Sequence, residues 1–333
     1  MAILITGGAG YIGSHCLKLM RQQGRHHVIV LDDLSNGHVE LLQGYPLVEG
    51  SVHDVDFVTQ LLRDGGVTAV IHFAAFAYVG ESVYEPEKYY QNNVTGTLNL
   101  LKAMRRANVN QLIFSSTCAT YGSAAQLPIQ ETSPQNPINP YGATKLSAEW
   151  MIRDFERAYG LRSVIFRYFN AAGAHPDGTI GEWHDPETHL IPLALQATLQ
   201  QANRLESVKP LTILGTDYPT PDGTCIRDYI HVLDIAKAHT MGLEYLLAGG
   251  ASNAFNIGHG SGYSVKDIIT ACERITNLPI PILAGQRRPG DPSVLVASAE
   301  KLTQTLGWQP EYSSLDEIIT TAWQWEKTRL SRS

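Results

Sequence analysis

The chain is poor in the features that mark secreted and nucleic-acid-binding proteins. Its 333 residues include only four cysteines, Cys16, Cys118, Cys225 and Cys272, which are widely spaced and form no Cys-x-x-Cys pair. This usage predicts buried free thiols in a reducing compartment, with no disulfide framework. The formal net charge of −7 disfavours nucleic acid as a partner.

Long hydrophobic runs are also missing. The longest apolar stretch, near Val67 to Ala77, contains His72 and is far shorter than the ~20 residues that a membrane span requires. Met1 leads directly into an apolar segment with no basic residues before it, so we expect no signal peptide. These absences predict a cytoplasmic protein with no membrane partner. The length allows one large domain or two.

A glycine turn organises the N-terminal half. Ala2 to Thr6 is an aliphatic run typical of a buried parallel strand, and Gly7-x-x-Gly10-x-x-Gly13 follows it at the start of a helical pattern. A second strand, His27 to Leu31, ends at Asp32. This order is the fingerprint of a dinucleotide-binding βαβ unit. We predict that the glycines let the backbone approach a pyrophosphate. We also predict that Asp32 binds a ribose diol, which favours NAD over NADP.

Strands and helices continue to alternate after this unit. Strands are predicted at Leu47 to Glu49, Thr68 to Phe73 and Gln111 to Phe114, with an amphipathic helix from Asn92 to Met104. The alternation predicts an α/β fold with a doubly wound parallel, Rossmann-type sheet. Beyond about Tyr168 the pattern is less regular, which indicates a smaller, discontinuous α/β domain. We expect a nucleotide domain of residues 1–168 plus about 228–258, and a substrate domain of about 169–227 plus 259–330.

Tyr141 and Lys145 are the clearest candidates for chemistry. Four residues apart on a predicted helix, they share one face. A neighbouring ammonium lowers the pKa of a tyrosine, which otherwise lies near ~10. With a further positive charge, such as an oxidised nicotinamide, Tyr141 would act as a general base at neutral pH. Ser115-Ser116-Thr117 end a strand where ligands bind in open α/β sheets, so one hydroxyl could bond a substrate hydroxyl beside Tyr141.

Taken together, these motifs resemble the extended short-chain dehydrogenase/reductases. The glycine turn, Ser115-Ser116-Thr117 and Tyr141-x-x-x-Lys145 occur in the order and spacing of that family. Three further stretches narrow the resemblance to the members that epimerise UDP-sugars. They are His72 to Ala75 with Val79 to Ser82, Arg167 to Asn170, and Gly215 to Tyr218 through Asp222 to Thr224 to Arg227 to Val232. The resemblance implies C4 epimerisation between UDP-glucose and UDP-galactose through a 4-keto sugar, with bound NAD as the transient hydride acceptor.

The resemblance also assigns roles to residues. It implies that Tyr141 is the catalytic base, that Lys145 supports it and that Thr117 bonds the sugar 4-oxygen. The cofactor would contact Gly7, Gly10, Tyr11, Ile12, Gly13, Asp32, Asn36, Phe73, Ala74, Ala75, Asn92, Lys145 and Tyr168. The UDP-sugar would contact Thr117, Tyr141, Phe169, Asn170, Leu190, Thr212, Leu214, Arg227, Arg288, Asp291 and Leu295. The two arginines are the natural diphosphate ligands, because a guanidinium pairs with phosphate at two points.

The sequence departs from the family at a few positions. Cys118-Ala119 follow Thr117 where related 4,6-dehydratases carry an Asp-Glu pair, so water elimination lacks its acid and base. Ser51 stands where an acidic residue usually faces adenine, with Asp54 nearby, and Ala77 replaces a lysine often found near the NAD diphosphate. These two replacements predict looser cofactor retention.

Other functions stay open on the sequence. Ser116 to Gly122 and Thr224-Cys225 also resemble UDP-xylose (UDP-arabinose) 4-epimerases. A net NAD-dependent oxidoreductase acting on a nucleotide sugar would share the site, whereas a non-catalytic NAD-binding regulator usually lacks the tyrosine-lysine pair. The resemblance further implies a homodimer built on the helices from about Asn93 to Arg106 and Tyr141 to Arg157. No metal is predicted, because the histidines at 175, 184, 189 and 231 lack metal-ligand spacing.

Overall fold

Strands and helices alternate along the chain in the computed structural model, which describes residues 1–124, 126–202, 208–288 and 291–330. The strands are β1 (Ala2–Thr6), β2 (His27–Asp32), β3 (Leu47–Glu49), β4 (Val67–His72), β5 (Gln111–Thr117), β6 (Arg162–Tyr168), β7 (Asn170–Ala172), β8 (Leu211–Leu214), β9 (Ile226–Arg227), β10 (Tyr229–His231), β11 (Asn253–Ile257), β12 (Tyr263–Ser264), β13 (Ile282–Gly285) and β14 (Val294–Leu295). The α-helices are α1 (Tyr11–Gln23), α2 (Val55–Asp64), α3 (Val79–Tyr84), α4 (Pro86–Tyr89), α5 (Gly96–Arg106), α6 (Pro140–Tyr159), α7 (Leu190–Ala202), α8 (Val232–Leu247), α9 (Val265–Thr276), α10 (Glu300–Leu306) and α11 (Leu315–Leu330).

Seven parallel strands form the central sheet, in the order β11-β6-β5-β4-β1-β2-β3. Alternate side chains of β1 enter two different cores: Ile3 and Ile5 pack on the face covered by α1 and α8, and Leu4 on the face covered by α2 and α5. Both faces of the sheet are therefore buried, which explains the continuous aliphatic runs in the sequence. The predicted doubly wound, Rossmann-type fold is confirmed.

The remaining strands form small sheets outside the central one. β7 pairs with β10, β8 with β13, and β9 lies between β12 and β14. A third hydrophobic core, which includes Ile191, Leu195, Ile268 and Ile319, joins α7, α9 and α11. Because β11 and α8 pack with the central sheet, the chain returns to it after β10. The bounds given for the two domains stay a prediction.

The helix predicted from Asn92 is longer and less regular than expected. Helical structure begins at Pro86 and passes through a π-helical segment, Tyr90–Thr95, before α5. The Asn93 side chain accepts a hydrogen bond from the Phe76 amide and donates to the Thr144 hydroxyl, which ties this segment to α6. π-Helical turns are often found at functional sites. Within the described ranges, no helix has the length and apolar character to cross a membrane.

Candidate active site

A cleft of about 630 Å³ lies along the carboxyl ends of the central strands. Every residue that the sequence analysis assigned to the cofactor or the UDP-sugar lines this cleft. The cofactor set comes from the ends of β1, β2, β4 and β6, from the π-helical segment and from α6. The UDP-sugar set comes from the ends of β5 and β6, from β7, from helices α6 and α7, from β8, β9 and β14, and from the segment between β13 and β14. The structure thus brings all of these residues together, at the sheet edge where ligands bind in open α/β folds. Their individual roles stay predictions.

The turn between β1 and α1 depends on glycine. Gly7 has φ +73°, and a Cβ there would lie 2.5 Å from the Ala74 nitrogen. A Cβ on Gly13 would lie 2.1 Å from the Gly7 oxygen, so the first turn of α1 could not close against the strand. Gly10 is the N-cap of α1, and no side chain of the described residues caps that helix end. A bare helix N-terminus favours an anion such as a pyrophosphate.

Asp32 lies at the end of β2, as the fingerprint requires. Its carboxylate accepts hydrogen bonds from the Ala9 and Leu34 amides, each at 2.9 Å. Burial raises the pKa of Asp32, and these two bonds oppose the rise. The carboxylate is therefore fixed between the glycine turn and the chain that follows β2. Asp54, in contrast, caps α2 by accepting from the Phe57 amide, whereas Gly50 and Val52, the neighbours of Ser51, line the cleft.

Tyr141 is placed by the start of α6. Asn139 caps this helix by accepting from the Gly142 amide at 2.8 Å, and Pro140 occupies its first position. The Tyr141 amide donates to the Ser82 hydroxyl of α3, which fixes the first turn from the other side. Tyr141 is 7% exposed and lines the cleft. Local capping signals thus explain why the helix begins one residue before the tyrosine.

Burial dominates the electrostatics of the tyrosine-lysine pair. Burial raises the pKa of Tyr141 above its ordinary value, and a hydrogen bond with Thr117 lowers it only in part. The Lys145 ammonium donates to the Ser115 carbonyl at 2.9 Å, and burial lowers the pKa of this lysine to about 7. In the protein chain by itself, burial therefore outweighs the hydrogen bond that lowers the pKa of Tyr141, and the role of Lys145 stays a prediction. A further positive charge near the phenol is required for a base at neutral pH.

Beneath this pair lies a fully buried ionic network. Glu149, two helical turns after Tyr141, accepts two hydrogen bonds from Arg167, at 2.9 and 2.6 Å, and one from Ser116 at 2.6 Å. Arg167 also donates to the Tyr121 hydroxyl. Among the influences on the pKa of Lys145, the Glu149 charge opposes the larger effect of burial. The network joins α6 to the ends of β5 and β6, which carry the hydroxyl and tyrosine residues of the cleft.

The opposite wall carries the two predicted diphosphate ligands. Arg227 lies on β9 and donates to the Asp291 carboxylate at 2.5 Å and to the Pro292 carbonyl at 2.6 Å. These contacts hold its guanidinium at the cleft, where Arg288 is also found. Leu295 packs against Phe169 in a small apolar cluster on the same wall. This wall therefore combines fixed positive charge with an apolar surface.

Sequence reasoning missed an ionic cluster on the rim of the cleft. Glu182, His184, Glu187 and His189 lie in the loop that precedes α7, with their side-chain ligand atoms all within 4.8 Å of one another. Burial lowers the histidine pKa values, but the two carboxylates outweigh it and raise them to about 9 for His184 and about 10 for His189. The signal was present as Glu-x-His written twice within eight residues. The prediction of no metal considered only the four histidines and their spacing.

These features define a class of protein: an enzyme that holds a dinucleotide on a Rossmann-type sheet and acts on a hydroxyl group beside it. The chain matches the NAD dependent epimerase/dehydratase family over residues 3–258. This protein belongs to that family.

Individual relatives agree with this assignment. The chain is 50% identical over 327 residues to the UDP-glucose 4-epimerase of Halalkalibacterium halodurans, covering 98% of this chain and 96% of that protein. It is similar to the solved structure of UDP-glucose 4-epimerase from Brucella ovis in complex with NAD, with a TM-score of 0.91, 50% identity and 97% coverage of both chains. A UDP-glucose 4-epimerase from Stenotrophomonas maltophila, solved with NAD and formylated UDP-arabinopyranose, has a TM-score of 0.93 at 36% identity, covering 100% of both chains.

Proposed function

We propose that this protein interconverts UDP-glucose and UDP-galactose by inverting C4 of the sugar, with NAD as its cofactor. The observation that carries the proposal is the single cleft in which Tyr141, Lys145 and Thr117 lie between a glycine turn and an arginine wall. The relatives named above are UDP-glucose 4-epimerases, and this chain matches them over nearly their whole length. The fold alone supports many reactions, so the site and the relatives together carry the assignment.

The residues of the nucleotide half fit NAD. Gly7 and Gly13 leave no room for a side chain at the turn, and the uncapped start of α1 suits a pyrophosphate. Asp32 suits a ribose diol and disfavours a 2′-phosphate. When bound, NAD supplies a hydride acceptor that takes hydrogen from C4 and gives it back, so the reaction has no net redox change.

Tyr141 transfers the proton in the proposed reaction. Its phenolate oxygen takes the proton of the sugar 4-hydroxyl, as a general base, and the resulting hydroxyl later returns that proton to the 4-oxygen, as a general acid. Thr117, which hydrogen-bonds with Tyr141, is placed to hold the same oxygen. Lys145 keeps a positive charge in the pocket only while it is protonated, and its lowered pKa makes that charge sensitive to pH near neutrality.

This chemistry requires that the nucleotide part of the substrate is bound more tightly than the sugar. The 4-keto sugar must present both faces to the same site, so it has to rotate while the nucleotide stays fixed. Arg227 and Arg288 are proposed to hold the diphosphate through charge-assisted hydrogen bonds. Phe169 and Leu295 offer an apolar wall that gives a rotating sugar no fixed hydrogen bonds. Binding energy is thus concentrated on the part of the substrate that does not react.

The remaining assigned residues are carried over as proposed contacts. We infer that the cofactor also touches Gly10, Tyr11, Ile12, Asn36, Phe73, Ala74, Ala75, Asn92 and Tyr168, and that the UDP-sugar touches Asn170, Leu190, Thr212, Leu214 and Asp291. Their common place in the cleft supports these contacts.

The assay that tests the function compares substrates and watches the cofactor. Purified protein with NAD should convert UDP-galactose to UDP-glucose at a higher rate than it converts UDP-xylose, while reduced nicotinamide does not accumulate. A preference for UDP-xylose would move the assignment to the pentose epimerases. Reduced nicotinamide formed in step with product would move it to a net oxidoreductase.

We also propose that the protein works as a cytoplasmic homodimer. Two observations support these points. Trp150 on α6 is 56% exposed, and such an exposed aromatic residue suits a protein interface. The four cysteines are free thiols, with Cys118 only half-buried in the cleft, and free thiols suit a reducing compartment.

A further inference from the structure

The rim cluster of Glu182, His184, Glu187 and His189 has the composition of a metal site. It supplies two imidazole nitrogens and two carboxylate oxygens, all within 4.8 Å of one another. Zn²⁺ is bound in proteins by these ligand types in four-coordinate, tetrahedral sites. Imidazole-containing sites favour late transition metals over Mg²⁺ or Ca²⁺, which prefer oxygen ligands alone.

The distances within the cluster agree with a tetrahedral ion. The His184 Nδ1 atom lies 3.3 Å from a Glu182 oxygen and 3.6 Å from a Glu187 oxygen. The His189 Nδ1 atom lies 2.8 Å from Glu182 and 3.0 Å from Glu187. Metal–ligand bonds of about 2.0 Å place neighbouring tetrahedral ligands roughly 3.3 Å apart. Only small movements are needed to surround one ion.

Two ligand atoms in the cluster are buried without a hydrogen bond. His184 Nδ1 and Glu187 Oε2 have no hydrogen-bond partner among the described residues. The Glu187 side chain is only 5% exposed, and that of Glu182 only 7%. The two atoms face each other at 3.6 Å as an ion pair, which is beyond hydrogen-bond distance. A cation at the centre of the cluster satisfies both atoms at once.

We propose that Glu182, His184, Glu187 and His189 bind one Zn²⁺ ion. All four ligands come from the protein, which makes this a closed, structural site and not a Lewis-acid centre. The two carboxylates balance one divalent ion as well as they balance two charged imidazoles, so the metal leaves the net charge of the cluster unchanged.

The position of the cluster gives the ion a structural role. The His184 ring makes edge contacts with Tyr11 at the start of α1 and with Tyr78 before α3, at centroid distances of 6.4 and 5.6 Å. Both tyrosines belong to the nucleotide side of the cleft, whereas His189 immediately precedes α7 on the substrate side. The bound ion therefore fixes the loop before α7 against the cofactor side. This assignment does not depend on which sugar the enzyme uses.

Metal binding to the full chain tests the proposal. Protein treated with a chelator and dialysed is titrated with ZnCl₂ by calorimetry, and the expected stoichiometry is one ion per chain. Glu187→Gln and His184→Gln should each weaken binding by more than about tenfold, because even residues behind the ligands carry that much affinity. The matched control is His175→Gln, which removes an imidazole paired with Asp177 in the same loop and should leave zinc affinity unchanged.

A second readout needs no variant. Co²⁺ added in place of Zn²⁺ should give the intense visible absorption of a tetrahedral ion with nitrogen and oxygen ligands, without the sulfur-to-metal charge-transfer band of a cysteine site. The absence of stoichiometric zinc binding, or a cobalt spectrum of an octahedral or sulfur-ligated ion, would overturn the proposal. Zinc binding that survives both cluster variants and is lost in Cys118→Ser or Cys225→Ser would do the same.

Discussion

At the scale of single residues, the tyrosine proposed as the catalytic base is under opposing influences. Burial raises the pKa of Tyr141, whereas the hydrogen bond with Thr117 lowers it. Lys145 is turned toward the Ser115 carbonyl, and its own pKa is lowered to about 7. The spacing of Tyr141 and Lys145 reveals the pair in the sequence. Their protonation depends on burial by distant segments, which no local spacing encodes.

The first prediction concerns the Tyr141 hydroxyl. Tyr141→Phe should lower kcat by about 10²- to 10⁴-fold, the usual contribution of a positioned acid–base group. The fold should be retained, because the ring stays in place and the capping contacts of α6 involve backbone atoms. Conversion of UDP-galactose gives the rate, and circular dichroism checks the fold. Tyr90→Phe, at an exposed position, is the matched control and should keep wild-type activity.

The second prediction concerns pH and Lys145. The pKa of this buried lysine is lowered to about 7, so between that value and the ordinary ~10.4 the unfolded chain binds the extra proton. Stability therefore rises with pH across this window, and the lysine contributes least below the folded-state value. Lys145→Met should remove this part of the rise.

Urea unfolding of the cofactor-stripped protein at several pH values measures the effect. Each unit of pKa shift corresponds to about 1.4 kcal/mol of unfolding free energy. Across the window, the unfolding free energy of the wild type should therefore rise by more than about 1 kcal/mol beyond that of the variant. Parallel pH profiles for the two proteins would contradict the lowered pKa.

At the scale of elements, two glycines of the turn after β1 serve different purposes. A Cβ on Gly13 would lie 2.1 Å from the Gly7 oxygen, whereas a Cβ on Gly10 would lie 3.4 Å from the same atom. Close packing of strand and helix therefore depends on Gly13, and the approach of a pyrophosphate depends on Gly10.

The third prediction follows from this contrast. Gly13→Ala should destabilise the protein by more than about 2 kcal/mol, because a backbone clash cannot relax cheaply. Gly10→Ala should change stability by less than about 1 kcal/mol but lower the amount of NAD retained through purification. Thermal unfolding without cofactor and NAD assayed in denatured protein supply the two readouts. Equal destabilisation by both substitutions would show that the turn does not divide these roles.

The elements that the sequence predicts well are those with strong local signals. The strand before the glycine turn, the strand ending in Asp32 and the helix that carries Tyr141 and Lys145 are all present in the structure. The π-helical segment at Tyr90–Thr95 and the rim cluster were missed. Both depend on contacts made in three dimensions: Asn93 with α6, and His184 with Tyr11 and Tyr78.

At the scale of the whole molecule, the proposed dimer would use α5 and α6. On α6, Met151 and Phe155 pack against the core, whereas Trp150 is exposed. Trp150 is therefore the apolar side chain of α6 with which the proposed interface is tested.

The fourth prediction tests this arrangement. Wild-type protein should sediment as a dimer, and Trp150→Glu should shift it toward monomer, because a charge at an interface core is unfavourable. Tyr84→Glu, at a residue that is 79% exposed on α3, is the control and should leave the dimer intact. Sedimentation velocity over a range of concentrations distinguishes these states. A monomeric wild-type protein would contradict the proposed dimer.

The central claim is that hydrogen leaves C4 of the sugar and returns to the same carbon. The measurement that tests it most directly supplies UDP-galactose labelled with deuterium at C4, in ordinary water with NAD present, and follows the product by proton NMR. The proposed mechanism predicts UDP-glucose that is still deuterated at C4. Product carrying protium at C4 would contradict it, because the hydrogen would then have exchanged with water.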